Sequence, residues 1–152
     1  MFEAIWQAVK ADLSGEKAKH FAARIWRHAR WNSFDHMHHT AEEIADGIIA
    51  ICKKLRAECP KMKILILAIF PRGPEPSQQR EKNDKASMLA SKIANGKMIH
   101  YLDINGKFLT KDGFLSKKIM PDYLHPNEVG YKIWAEAIEP KVAELMGDKP
   151  KK

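Results

Sequence analysis

Lys63-Ile-Leu-Ile-Leu-Ala-Ile-Phe70 is an apolar run of strand length, unbroken after its leading lysine and stopped by Pro71-Arg72-Gly73-Pro74. A strand with one wet face alternates apolar and polar residues. A run without polar positions belongs to a strand covered on both faces, the pattern of a parallel sheet in an α/β protein. Parallel neighbours require a long crossover between them, usually a helix. Helical patterns flank the run on both sides. Upstream, Thr40 and Glu43 form a capping box, and Ile44, Ile48, Ile51/Cys52 and Leu55 follow on one face until Pro60 stops the helix. Downstream, Ser77 to Asn95 reads as a helix turning Met88, Leu89 and Ile93 inward, with Gly96 as its C′ residue. Met98-Ile-His-Tyr-Leu-Asp-Ile104 is a second strand. A turn-rich loop from Asn105-Gly106 through Lys111-Asp112-Gly113 to Pro121 leads to a last helix from about Pro126. Its inward face is Val129, Ile133, Trp134, Ile138, Val142 and Leu145, and Pro140 is expected to kink it. Helix, strand, helix, strand, helix at these spacings predicts α/β layering with right-handed crossovers.

The first 31 residues carry no strand pattern. Phe2, Ile5, Trp6, Val9 and Leu13, then Ala18, Phe21, Ala22, Ile25, Trp26 and Ala29, recur at helical spacing on either side of Ser14-Gly15, which predicts a helical hairpin with Ser14 a candidate N-cap. Asn32 to His39 has neither period and reads as a loop.

At 152 residues the length suits one domain, and 45% hydrophobic with 30% charged residues is ordinary for a globular chain. A domain of this size buries roughly two-thirds of its unfolded surface and needs no disulfide or metal to complete its core. No stretch reaches the ~18 apolar residues of a membrane span. The N-terminal MFEAIWQAVKADL lacks the basic start and apolar run of a secretory signal, so the expectation is a cytoplasmic or unsorted chain with no membrane partner. The net charge is +7, but the lysines are interleaved with acids and no DNA- or RNA-binding motif accompanies them. They read as a solvated basic face, with no nucleic-acid partner expected. Cys52 and Cys59 form no metal clip or disulfide framework and read as two reduced, half-buried thiols.

Two groups of residues could carry chemistry. Pro121-Asp122-Tyr123-Leu124-His125-Pro126-Asn127 stands at the entrance of the last helix, with an acid three residues before a histidine that Pro126 holds in extended backbone. A general base needs an imidazole whose second nitrogen is oriented by a carboxylate, and Asp122 with His125 supplies both on one turn. The same letters also describe a helix-dipole acid beside a surface histidine. The other group is His36, His38 and His39, with Asp35 beside them and His28 upstream. Imidazoles and a carboxylate at this density could hold Zn²⁺, and a solvated polar loop explains them too. No other cofactor is indicated.

From Thr40 to about Met146 the chain resembles the C-terminal half of an SGNH (GDSL-type) hydrolase, and is similar to the platelet-activating-factor acetylhydrolase catalytic-subunit group. The resemblance is carried by TAEEIADGIIAICKKLR, by KILILAIFPRG followed by REKN, by IHYLDI with its FLTKDG turn, and by DYLHPNEVGY. It implies a truncated flavodoxin-like, three-layer α/β fold with a short parallel sheet, in which the helical hairpin stands in place of the first strands. It also implies that Asp122 and His125 are the acid and base of a Ser-His-Asp triad acting on short acyl esters. The family's Gly-Asp-Ser nucleophile block is absent, and where the family has Gly-x-Asn-Asp this chain has Asn32-Ser33-Phe34-Asp35. Ser14 and Ser33 are then the substitute nucleophiles to test. Ser14-Gly15-Glu16-Lys17 with His20 resembles the block that supplies an oxyanion glycine, Gly15, although a helix boundary explains it equally well. Because a triad works as a unit, weak or absent esterase activity is expected.

The matching segments start abruptly at Thr40. The chain therefore divides into residues 1–39, a hairpin and His-rich loop that could be grafted or engineered, residues 40–146, the hydrolase-like part, and a basic tail at 147–152. Two strands without their family neighbours leave a bare apolar edge, which predicts pairing of two copies into a homodimer. The alternative to an enzyme is a catalytically silent unit that folds and associates.

Overall fold

In the computed structural model, which describes residues 39–148, the elements are α1 (Ala41–Glu58), β1 (Ile64–Leu67), α2 (Gln78–Ser91), β2 (Ile99–Leu102), a 3-10 turn (Asn105–Lys107) and α3 (Glu128–Met146). The helical hairpin expected before residue 32 lies outside the described residues, as do the loop residues up to His38. Two compact units divide between Met62 and Lys63. None of the helices among the described residues is long and apolar enough to cross a membrane.

In the first unit, Thr40 caps α1 as its sequence implies. The Thr40 hydroxyl accepts from the Glu43 N–H at 3.2 Å, and the Glu43 carboxylate accepts from the Thr40 N–H at 2.8 Å. These bonds hold the Glu43 carboxyl below its usual range. Ala41, Ala45 and Cys52 are the buried residues of the helix, while Ile44, Ile48, Ile51 and Leu55 are half-buried. Neither cysteine is in a disulfide, and both are fully buried rather than half-buried, with Cys59 ending the helix as its C-cap.

In the second unit, β1 and β2 form a two-stranded parallel sheet in the register Ile64↔Ile99 to Leu67↔Leu102. The mixed α/β class read from the apolar run is the class observed. Ile64 and Ile66 are buried, and Leu65 and Leu67 half-buried. Both strands are shorter than their apolar runs. After Leu67 the Ala68 N–H still reaches the Leu102 carbonyl at 3.1 Å, and Ile69 then takes side-chain partners: its N–H donates to the Ser87 hydroxyl at 2.9 Å, and its carbonyl accepts from the Asn105 amide at 2.9 Å.

The helix α2 differs from its expectation in extent and face. It ends at Ser91, four residues early, because the Asn95 side-chain oxygen accepts the N–H groups of Lys97, Met98 and Ile99 at 2.9–3.1 Å and folds 95–99 into a turn, with Gly96 at φ +68°. Met88, expected inward, is 57% exposed. The buried residues are Arg80, Asn83, Ala86, Ser87 and Ala90. Their small or hydrogen-bonding side chains let the helix approach and tie down neighbouring loops, which an apolar stripe could not do.

The core lies where the 105–121 loop meets α3. Ile104, Phe108, Leu115, Met120 and Trp134 are buried together, with the Phe70 ring tilted 51° against Phe108 at 4.9 Å and edge-on to Trp134 at 5.0 Å. Each large side chain so buried contributes about 1.5–3 kcal/mol of transfer free energy. In α3, Trp134 is buried as expected and Ala143, outside the expected face, is buried as well, but Val129 is 52% exposed, because Gly130 takes the buried position in the first turn. The helix continues through Pro140 to Met146 and closes on Gly147 at φ +78°.

Candidate active site

The segment between the core loop and α3 is a chain of interlocking turns. Asn127 is the N-cap: its side-chain oxygen accepts the Gly130 N–H at 3.1 Å, its amide donates to the Lys118 carbonyl at 3.0 Å, and its own N–H donates to the Ile119 carbonyl at 3.0 Å. The helix start is thereby bound back onto residues 118–119, and the loop from Met120 to Pro126 bulges between them. Gly130 makes this possible, since a Cβ there would stand 2.7 Å from the Ile119 carbonyl oxygen and 2.9 Å from the Pro126 Cβ.

Within the bulge, Asp122 organises everything that follows. One carboxylate oxygen accepts the backbone N–H groups of Leu124 at 3.0 Å and His125 at 2.7 Å, an Asx turn. The other faces the His125 ring, with Nδ1 to Oδ2 at 2.6 Å. The hydrogen bonds from the His125 ring and from the His125 N–H, with that of Leu124, push the Asp122 carboxyl well below the usual carboxylate range. An ionised carboxylate can only accept, so Nδ1 carries a proton, and in the neutral ring the lone pair stands on Nε2. Nε2 can therefore take a proton from a bound hydroxyl or water. The two side chains are 76% and 54% exposed.

Tyr123 bridges the pair to the rest of the fold. Its backbone is left-handed, at φ +58°, a conformation costing a residue with a Cβ roughly 1–2 kcal/mol. The side chain packs on the Trp134 core with the Lys117 ammonium 5.5 Å from the ring centre. Its N–H donates to the Met120 carbonyl at 2.9 Å, and its own carbonyl accepts the Gly73 N–H at 3.0 Å. The Pro71–Pro74 segment that ends the β1 run is thus attached to the middle of the Asp122–His125 turn.

The other residues singled out from the sequence are placed as follows. Ser14, Gly15, Ser33, His36 and His38 lie outside the described residues. His39 lies 3.6 Å from the Glu43 carboxylate at the start of α1. No group of three His, Cys, Asp or Glu residues suited to a metal occurs among the described residues. The four described serines serve backbone instead of the histidine. Ser77 caps α2, Ser87 holds Ile69, Ser91 bonds the Met88 carbonyl, and Ser116 accepts the Lys118 N–H. Sequence reasoning assigned no role to Arg80, whose guanidinium is buried beside the Pro71–Pro74 segment. The available signal was a positive residue in the first turn of a helix, where the dipole disfavours it.

Residues 13–133 match the GDSL-like lipase/acylhydrolase family. The chain belongs to that family. The matched region begins ahead of Thr40, where the motif segments start, so residues 13–39 fall inside it. The sequence is 31% identical over 150 residues to platelet-activating factor acetylhydrolase IB subunit alpha2 of Rattus norvegicus, covering 96% of this chain and 61% of that protein. It is 30% identical to the Homo sapiens alpha2 subunit over the same extents, and 29% identical to the Bos taurus alpha1 subunit, covering 91% of this chain and 65% of that protein. The chain thus spans about three-fifths of the length of these relatives. A solved structure named for platelet activating factor, from Streptococcus pneumonia, superimposes with a TM-score of 0.58 at 18% identity, covering 67% of this chain and 51% of the other, a likeness of fold. Asp122 and His125 both lie within the matched region, on the loop that opens the last helix.

Proposed function

We propose that this GDSL-like acylhydrolase domain supports hydrolysis of short acyl esters, acetyl esters among them, with His125 as the general base and Asp122 as its orienting acid. The observation that carries the proposal is the 2.6 Å contact from Nδ1 to the Asp122 carboxylate, which leaves Nε2 basic and fixed on a turn held by four backbone bonds. In such a site Nε2 takes the proton of the attacking hydroxyl, Asp122 stabilises the imidazolium that results, and the proton passes to the departing alkoxide. The acetyl preference rests on the names of the relatives. The sequence contains no Gly-Asp-Ser, and Ser14 and Ser33 are the serines to test as attacking groups; with neither, His125 activates water alone, and turnover is weak.

The test is p-nitrophenyl acetate hydrolysis by the wild-type chain and by His125→Ala. General-base participation is worth typically 10²–10⁴-fold, so the variant is expected to lose at least tenfold in kcat/KM. Equal rates remove the enzyme proposal. They would favour the second reading, a catalytically silent unit, which is supported by the missing Gly-Asp-Ser and by the engagement of every described serine in backbone bonds. Self-association through the edge of the β1–β2 sheet belongs to either reading. Sedimentation showing only monomer at micromolar concentration would refute it.

A further inference from the structure

The geometry points to Arg80 as the positioning residue of the Asp122–His125 turn, acting through the backbone of Arg72 and Gly73. This rests on the assignment of His125 as the base. Arg80 is 6% exposed and stands in the first turn of α2, where its own N–H is capped by Ser77. A buried cation at a helix N-terminus is doubly disfavoured, by lost hydration and by the helix dipole, so its retention calls for compensating bonds.

Those bonds all go to main-chain carbonyls of neighbouring loops. Nε donates to the Arg72 carbonyl at 2.8 Å, Nη2 to the Gly73 carbonyl at 2.5 Å, and Nη1 to the Gly113 carbonyl. The planar fork clamps the segment after β1 and the 110–115 turn at once, which a lysine ammonium on a flexible stem cannot do. Gly73 is the residue that matters for the site. Its carbonyl is held by Arg80, and its N–H donates to the carbonyl of Tyr123, between Asp122 and His125. Tyr123 sits in the left-handed region and relaxes if released; Asp122 directly precedes it, and His125 follows one residue beyond Leu124 on the same turn. Arg80 therefore fixes the orientation of His125 across two hydrogen bonds without touching it.

The test is NMR on the full chain, which needs no turnover and so is independent of whether the esterase proposal survives. In Arg80→Lys, amide exchange at Gly73 should speed up about tenfold or more, as expected for losing a charge-assisted bond. The low-field His125 Nδ1 proton should weaken or vanish, while helix content by circular dichroism stays at the wild-type level. Arg80→Gln, which keeps a planar donor, should restore part of the Gly73 protection. A folded Arg80→Lys with unchanged His125 ring signals overturns the assignment, as does loosening of Gly73 that leaves His125 unmoved. If neither variant folds, native-state exchange of the wild type decides. The Arg80 Nε and Gly73 amide protons should then share one opening with the same denaturant dependence, and separate openings refute the coupling. Where hydrolysis is measurable, Arg80→Lys should lower kcat with KM unchanged.

Discussion

Gly130→Ala is the substitution on which helix propensity and packing give opposite signs. Gly130 is in the first turn of α3, and replacing a helical glycine by alanine is ordinarily worth up to about 1 kcal/mol in favour of alanine. Here the new Cβ would lie 2.7 Å from the Ile119 carbonyl oxygen, 2.9 Å from the Pro126 Cβ and 3.2 Å from the Ile119 Cγ2. Two of the three are within distances real Cβ atoms essentially never show, and the nearest atom is backbone, which cannot rotate away. The carbonyl it strikes is the one that accepts the Asn127 N–H, so making room lengthens that bond and unseats the N-cap. Overpacking of this kind costs about 1–3 kcal/mol, which set against a propensity gain of at most about 1 kcal/mol leaves a net loss of up to about 2 kcal/mol. Thermal unfolding followed by circular dichroism should show the variant melting lower, by up to about 8 °C. Gly106→Ala is the control, since nothing lies within 4 Å of a Cβ there, and its effect should stay within about 0.5 kcal/mol. A Gly130→Ala protein that melts at or above the wild-type temperature would refute the steric argument.

Two further outcomes follow from the bonds around the site. The Asp122 carboxyl, held down by the His125 ring and amide, should titrate below the unfolded value of about 3.9 when followed by carbon-13 NMR, and move back toward it in His125→Ala. Because the folded value is the depressed one, the stabilising contact is complete above about pH 3.9 and is lost as pH falls through the folded value; a midpoint at or above 3.9 in the wild type contradicts the geometry. Ser87→Ala removes the acceptor of the Ile69 N–H at 2.9 Å inside a residue only 4% exposed, and chemical denaturation should show a loss of about 1–3 kcal/mol. A neutral result would mean that the Asn105 bond to the Ile69 carbonyl is enough to hold the segment after β1.

The parts of the fold visible in the sequence are those set by local chemistry. Thr40 and Glu43 announce the start of α1 because a capping box is made within four residues, and it forms as spelled. Ile64 to Leu67 announce a buried strand because only a covered strand tolerates such a run. The Asp122–His125 pair was legible for the same reason: both members are three residues apart on one turn, and Pro126 restrains the second. The failures share a cause as well. Hydrophobicity and period point Met88 and Val129 inward, but the buried positions beside them go to Ser87, which accepts a distant N–H, and to Gly130, where backbone approaches closely. Arg80 reads as an ordinary charged residue on a helix, because its three acceptors lie seven, eight and 33 residues away.

The sequence by itself therefore determined the α/β class, the strand that marks it, the family, and which acid and histidine meet on one turn. Each depends on neighbours within a few residues, or on a pattern that repeats along the chain. Only the tertiary structure decided which way that pair is held: the left-handed Tyr123, the Gly73 N–H that grips its carbonyl, and the buried Arg80 behind Gly73. These are contacts between backbone groups far apart in sequence, and main-chain carbonyls are the same at every residue. No letter marks which of them a guanidinium will find.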